Sequence, residues 1–422
     1  GGTAKWRTCY AAAGTGHAVL YAVDGEVMRM GIDIADRTEA LALIHDSGRC
    51  WGAVVRCLRT GAVYAHLAKA TVIATGGHGR IYGQYTTNAT INEGTGAAIA
   101  LSTGEVPLGN MEAVQFHPTT LMPSGILITE GCRGDGGFLL DRNLHRFMVD
   151  LEPEKQELAS RDVVARHMMG RMRDGLGVET PDGPHLWLDL RHLGAAHITT
   201  KLLEVYEICR DFIGLDPVHE PIPVRPTQHY SMGGIRVNKD GHAYGLTGLF
   251  AAGEVACWDL HGFNRLGGNS LAETIVAGRI VGAHVAAFAQ ATSMDVETSL
   301  ATRALAKERA RIRDWLERDR GGPSVFAIRD NIAEIMIDKV GIFRTGDELG
   351  EAVAGLSEQL ARVKSAGLRS RTPGMNPELS FALRLEGMAR LALVTALGAT
   401  ARTESRGAHF REDYPARDDA RW

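Results

Sequence analysis

The sequence predicts an α/β protein of several domains, and three observations carry that expectation. Twice a short apolar run enters glycines, at residues 70–77 and 248–254. That pattern suits a parallel strand delivering a loop to a ligand. Residues 300–400 instead place apolar side chains at helical spacing. Finally, 50 of 422 residues are glycine with no G-X-Y period, which exceeds the usual ~7% and marks sharp turns or close backbone approaches. A chain of 422 residues suggests two to four domains.

Taken in order, residues 18–30 read as a helix. Residues 40–44 and 51–55 read as strands around the turn Asp46-Ser47-Gly48, and residues 63–67 as a third strand after Thr60-Gly61. The run at 70–77 reads as a buried parallel strand entering Thr75-Gly76-Gly77. Residues 111–230 hold isolated His, Arg and Glu between short elements. The first style returns over 231–290, with a long small-residue helix from Ser270 to about Ala289. There Gly278 and Gly282 lie one turn apart and would let the helix pack close to something. Leu305, Ile312 and Leu316 share one helical face, and Ile328, Ile332, Ile335 and Met336 another, with Gly321-Gly322-Pro323 between them. Residues 402–422 carry five Arg and five Asp or Glu and read as an exposed or partner-facing tail.

Composition narrows the function classes. A net charge of −4 gives no basic bias towards nucleic acid. The six cysteines, at 9, 50, 57, 132, 209 and 257, form no CxxC and no tight cluster. A disulfide framework, a structural zinc and an iron–sulfur cluster held by this chain are therefore not expected, and reduced thiols in the cytoplasm are. No apolar run reaches ~18 residues, so no membrane span is expected. The start, Gly1 to Trp6, lacks both a signal-peptide stretch and an initiator Met, which suggests a chain beginning inside a longer gene product.

Gly14-Thr15-Gly16-His17-Ala18-Val19 half matches GxGxxG but lacks the third glycine, so it reads as a turn opening a helix. Gly76-Gly77-His78-Gly79 follows a strand and suits a cofactor contact or a tight turn. The strongest segment runs from Ala252-Gly253-Glu254 to Asn264-Arg265-Leu266-Gly267-Gly268-Asn269-Ser270-Leu271. Asn269 or Ser270 suits the N-cap of the following helix, whose free N–H groups favour an anionic or electron-rich group. Arg265, if buried, needs an anionic partner.

The other polar clusters are Gln115-Phe116-His117-Pro118-Thr119, Thr129-Glu130-Gly131-Cys132-Arg133-Gly134-Asp135, Ser160-Arg161-Asp162 at a helix start, and Gln228-His229-Tyr230-Ser231-Met232-Gly233-Gly234. Singly, each suits a core histidine or a surface ion pair. Jointly, two His, several Arg and a Thr near glycine loops suit a small dicarboxylate, with an Arg and a His for each carboxylate.

These segments, in this order, resemble the flavoprotein subunit of fumarate reductases and succinate dehydrogenases over nearly the whole chain. The run from Glu404 to Asp419 adds to the likeness, and Cys257-Trp258-Asp259-Leu260-His261-Gly262-Phe263-Asn264 is most similar to the menaquinol-linked fumarate reductase branch. The resemblance implies a glutathione-reductase-like FAD-binding domain over 1–115 and 229–295. A capping α+β domain over 116–228 interrupts it. A helical domain over 296–400 and the start of a C-terminal domain over 401–422 follow. It also implies interconversion of fumarate and succinate by hydride transfer at FAD N5, with Arg161 as proton donor and Glu130 and Arg133 as its relay. His117, Thr129, His229 and Arg265 match the carboxylate-binding residues. Thr75, Gly76, Gly77, Glu254, Asn269, Ser270 and Leu271 match cofactor contacts, and no metal site is expected. Relatives carry Thr-Gly-Asp-Gly where this chain has Glu93-Gly94-Thr95-Gly96, so the cofactor role of that Asp does not pass to Thr95. The family's opening FAD loop and its attachment His have no counterpart here.

An iron–sulfur subunit and a membrane quinone subunit are the implied partners, which would place the chain on the inner membrane face, with the helices of 300–400 and the tail as docking surfaces. Cys132, inside the relay loop, is either alkylation-sensitive or a small buried filler. Two alternatives remain open: an L-aspartate oxidase-like FAD enzyme, and a non-catalytic flavoprotein remnant in an assembly.

Overall fold

The computed structural model describes residues 9–11 and 14–422, so the reading of Gly1 to Trp6 lies outside the described residues. Gly14 takes the N-cap position of α1 (Thr15–Arg29), which buries no residue. β1 (Thr38–Asp46), β2 (Arg49–Cys57) and β3 (Val63–Leu67) form an antiparallel sheet in that order. Their first turn sets Ser47 and Gly48 at φ 51° and 72°, the left-handed pair a two-residue hairpin needs.

β4 (Thr71–Ile73) enters the Thr75-Gly76-Gly77 loop and pairs in parallel with a much later strand, Leu249–Ala251. The expectation of a fully buried strand fails here. Only Ile73 is buried, and Val72 is 43% exposed, because the sheet has just these two strands and one face is uncovered. α2 (Thr95–Leu101) and β5 (Leu108–Gly109) follow.

The chemical-looking residues lie on an inserted layer. It contains β6 (Val114–Leu121), α3 (Gly131–Gly134), β7 (Phe138–Leu140), α4 (Met148–Leu151), α5 (Arg161–Arg173), β8 (Leu186–Asp189), α6 (Ala195–Lys201), α7 (Leu203–Ile213) and β9 (Ile222–Ser231). Its strands form one antiparallel sheet, β6-β9-β8-β7, over its own core of Leu121, Ile128, Leu139, Met148, Val164 and Leu186. The chain then returns through β10 (Gly234–Arg236), β11 (Leu249–Ala251) and β12 (Ala256–Cys257). The parallel β4–β11 pair brings the glycine loops after Ile73 and Ala251 side by side.

α8 (Asn269–Ala291) starts at Gly268, which has φ 78° and occupies the N-cap position. Neither Asn269 nor Ser270 caps it, because both already lie inside the first turn. Only Glu273, Ala277 and Val281 are buried on this helix. A Cβ at Gly278 or Gly282 would meet nothing within 4 Å, so their expected close packing is absent among the described residues. By length and composition alone α8 is long and apolar enough to cross a membrane, although it contains no uninterrupted apolar run of the kind the sequence reading sought. Glu273 and Arg279 interrupt its apolar run, which hides it from a search for uninterrupted residues.

α9 (Thr298–Glu317), α10 (Val325–Lys339), α11 (Gly346–Val363) and α12 (Pro377–Ala401) contribute much of the largest core, including Ile312, Ile328, Ile332, Met336, Leu356, Leu385 and Met388. The charged segment after α12 is the expected exposed tail only in its second half: residues 412–422 are almost all exposed, whereas 402–411 are drawn in. Glu404 and His409 are fully buried and Arg411 nearly so. Glu404 accepts from Arg402 and Arg406, and Arg411 pairs with Asp413. Internal pairing lets these charges leave water.

Candidate active site

A cavity of about 370 Å³ opens between the inserted layer and the start of α8. Thr87, Asn88, His229, Glu254, Arg265, Ser270 and Leu271 are among its walls. Segments more than 180 residues apart in sequence thus share one space.

His117 comes from the middle of β6. Pro118 has no N–H for the ladder, and the β6–β9 register shifts between His117 and Thr120. Such a bulge re-aims a side chain. His117 is fully buried, and its Nδ1 accepts from the Thr119 N–H at 3.2 Å. That bond puts the ring proton on Nε2, and Nε2 has no partner. Burial, then His229, Arg161 and Arg133, hold its pKa well below the usual value, so the ring is neutral. His229, on β9, meets it edge-on with ring centroids 5.1 Å apart. Burial, with Arg265 and Arg161 nearby, lowers His229 to about 3. Its Nδ1 pairs with the Thr87 hydroxyl at 2.7 Å, leaving Nε2 for a ligand.

Arg161 opens α5 after Ser160. Ser160 holds the N-cap position, but its hydroxyl bonds Asp162 instead of the helix backbone. The Arg161 Nε donates to Glu130 Oε2 at 2.8 Å, while one of its terminal nitrogens is buried without a partner. Gly267 approaches from the other side, where a Cβ would sit 2.9 Å from the guanidinium. A larger residue there would push the Arg161 guanidinium aside. Burial by itself would raise the Glu130 carboxyl, but Arg161 and Arg133 hold it below the usual range. Arg133 is buried, donates to the Glu157 carbonyl at 2.6 Å, and has its pKa lowered by burial. Cys132 between them is fully buried, and burial pushes its thiol up to about 12. That favours the buried-filler reading over the reactive one.

Arg265 is 3% exposed, and its Nε has no partner. Burial, with Arg161 nearby, lowers it to about 10, so it remains a cation at neutral pH. Its loop is pinned to the inserted layer. Gln115 donates to the Asn264 side chain and the Arg265 carbonyl, and Asn264 donates to Asp162. Phe263 is held from behind, where its carbonyl accepts from Ala408.

Glu254 sits in the cavity wall, where burial raises its carboxyl to about 7 against the Ser231 N–H bond that lowers it. Its side chain fills the space a Cβ would need at Gly77, so that loop requires glycine. Gly76 turns at φ 72° beside Asn92, another lining residue. The structure therefore gathers His229, Glu254, Arg265, Ser270 and Leu271 in the cavity wall. His117, Glu130, Arg133 and Arg161 lie behind it, linked by the contacts above. Thr75 packs on Gly96 of α2, Asn269 is exposed at the start of α8, and the exposed Thr129 accepts from the Gly131 N–H. None of these three is among the lining residues.

Sequence reasoning did not single out Thr87, Asn88 and Asn92, which belong to no recognised motif and line the cavity only through the fold. Asn88 donates to the His229 carbonyl and keeps a buried, unpaired Oδ1. Among the described residues no group of three or more His, Cys, Asp or Glu is placed to hold a metal.

Comparison with known proteins agrees with this architecture. A family described as FAD binding domain matches residues 1–271, and one described as fumarate reductase flavoprotein C-term matches residues 329–422. The fumarate reductase flavoprotein subunit of Helicobacter pylori is 48% identical over 100% of this chain, which spans 62% of that relative's length. The 8-methylmenaquinol:fumarate reductase flavoprotein subunit of Wolinella succinogenes is 37% identical, with 100% of this chain and 68% of the relative covered. A solved quinol–fumarate reductase with menaquinol molecules superposes with a TM-score of 0.93 at 38% identity, covering 98% of this chain and 73% of that one. The chain belongs to the fumarate reductase and succinate dehydrogenase flavoprotein subunit family.

Proposed function

We propose that this member of the family binds FAD and interconverts fumarate and succinate. The observation that carries the reading is a cavity lined by His229 and Arg265, with Arg265 Nε buried and unpaired among the described residues and His117 Nε2 and a terminal nitrogen of Arg161, likewise unpaired, behind its wall. A buried cation or donor without a partner is costly, and a dianionic substrate offsets that cost at both ends.

The wall facing these donors suits a flavin. α8 brings Ser270 and Leu271 of its first turn to the cavity, where free helix N–H groups favour an electron-rich ring edge. By the family match Thr75, Gly76, Gly77, Glu254, Asn269, Ser270 and Leu271 would hold it, and of these Glu254, Ser270 and Leu271 line the cavity. Bound there, FAD supplies a two-electron carrier.

The protein's own groups do the rest. By the same match His117, His229, Thr129 and Arg265 would hold and polarise the carboxylates, and of these His229 and Arg265 line the cavity. The two imidazoles act as neutral donors, since both are held uncharged. Arg161 gives a proton to one alkene carbon in reduction and removes it in oxidation. Guanidinium is a weak acid, so this step needs a strongly basic developing carbanion and immediate reprotonation. Glu130, bonded to Arg161 and 28% exposed, is placed to reload it, with Arg133 behind.

We assign residues 1–115 and 229–295 to the FAD domain, 116–228 to the cap, 296–400 to the helical domain and 401–422 to the start of a C-terminal domain. Electrons pass to or from an iron–sulfur subunit and a membrane quinone subunit. Two relatives' names mention menaquinols, which favours that branch. The flavoprotein would be peripheral, on the inner face.

The test is dye reduction by the purified, flavin-loaded complex with succinate and then L-aspartate. Succinate activity alone is expected. Activity with aspartate moves the chain to the oxidase reading, and activity with neither supports a non-catalytic remnant.

A further inference from the structure

We propose that Tyr230, Glu273 and His261 form a buried positioning unit that fixes the Arg265 guanidinium for a substrate carboxylate. The inference rests on the dicarboxylate reading above and adds residues to it. It starts from a deficit. Arg265 makes one side-chain hydrogen bond, to the carbonyl of its neighbour Leu266 at 2.8 Å, and no carboxylate lies in ion-pair range among the described residues. A guanidinium held at one corner swings, yet carboxylate recognition needs a fixed fork.

What holds it is a ring. The guanidinium carbon sits 4.5 Å from the Tyr230 ring centroid, in a desolvated setting where cation–π attraction is strongest. The ring is fixed in turn by its far end. The Tyr230 hydroxyl donates to Glu273 Oε2 at 2.6 Å, and the His261 Nε2 donates to the same oxygen at 2.8 Å. His261 also packs edge-on against Tyr230, centroids 5.5 Å apart. Tyr230 and Glu273 are each 5% exposed. Burial and the adjacent Glu273 keep the phenol protonated, so it stays a donor. A phenol donating to a carboxylate has a more electron-rich face for the cation above it.

Glu273 lies on α8, whose Ser270 and Leu271 line the cavity. The trio therefore ties Arg265 to the start of α8 and supplies a nearby negative charge without neutralising the guanidinium by direct pairing. Glu273 and His261 act through Tyr230, and Tyr230 acts through Arg265. All three are positioning residues.

The test uses the flavin-loaded complex carrying Tyr230→Phe or Glu273→Gln. Malonate, a dicarboxylate that cannot be oxidised at a CH–CH bond, is titrated by the flavin absorption change. Each variant should bind malonate about tenfold more weakly, with a raised KM for succinate, a smaller change in kcat and unchanged flavin content. In an Arg265→Lys background neither substitution should add a further loss, because the route to substrate is already cut. Unchanged malonate affinity in both variants, or losses that add fully to Arg265→Lys, overturns the proposal. A crystal structure of Glu273→Gln gives a substrate-independent arm. Arg265 displaced from the Tyr230 ring supports the trio, and Arg265 in its wild-type position overturns it. If wild-type enzyme binds no malonate, the dicarboxylate reading fails, and the structural arm still decides the trio.

Discussion

Two arginines of the candidate site, Arg265 in the cavity wall and Arg161 behind it, are held in opposite ways. Arg161, on the inserted layer, pairs with a carboxylate that reaches solvent: Glu130 is 28% exposed. Arg265, on the returning wall, has no carboxylate partner among the described residues and is held by a neighbouring carbonyl and an aromatic face. A cation hydrogen-bonded to an exposed acid can exchange a proton through it. A cation boxed by a ring and a carbonyl has no such route and remains a fixed charge. That difference is the ground on which we propose a proton-donor role for Arg161 and a binding role for Arg265, although the sequence shows the same residue type in both places.

The largest effect should come from exchanging the two roles. Arg161→Lys is expected to lower kcat by more than ~100-fold while leaving malonate affinity within a few-fold. Arg265→Lys should do the reverse, raising KM for succinate by ~10- to 100-fold with a smaller loss of kcat. Steady-state kinetics on both variants checks this. Arg161→Lys retaining more than roughly a few per cent of turnover with intact binding removes the general-acid role.

Glu130→Gln sharpens the same contrast, with an expected kcat loss of ~10- to 100-fold. Its pH behaviour carries a sign. The two arginines hold the carboxyl below its ordinary value of 4.5 despite burial. The charged form is therefore complete at neutral pH and is lost only as pH falls through that lowered value. The acid limb of the wild-type pH–rate profile that belongs to this group should lie below 4.5 and disappear in the variant.

The smallest effect concerns Cys132, which shares the relay loop without joining its chemistry. Cys57 is only partly covered, and the Thr60 hydroxyl and neighbouring backbone lower its thiol to about 7, whereas burial pushes Cys132 up to about 12. Iodoacetamide at pH 8 should label Cys57 well before Cys132, as read by mass spectrometry. Cys132→Ala should keep kcat within about twofold.

Much of the fold was legible because it is written locally. The hairpin at Ser47-Gly48, the helical faces of Ile312 and Ile332 and the two strand-to-glycine runs all obey short-range spacing. The first half of the 402–422 tail was misread because charge counts residues without pairing them. Glu404 is buried because Arg402 and Arg406 meet it, and α8 stays largely exposed although it is apolar. Within the site, His117, Glu130, Arg161, His229 and Arg265 were legible as motif members. Thr87, Asn88 and the partnership of Tyr230 with Glu273 and His261 were not.

Sequence alone thus determined which elements form and which residue types are available for a dicarboxylate. Only the tertiary structure decided which of them meet, and with that their protonation. The β4–β11 pairing and the Gln115–Asn264–Asp162 bridge join segments far apart in the chain. Burial and neighbouring charge, which local sequence does not encode, then keep two histidines neutral, leave Glu130 ionised and set Arg265 on a tyrosine ring.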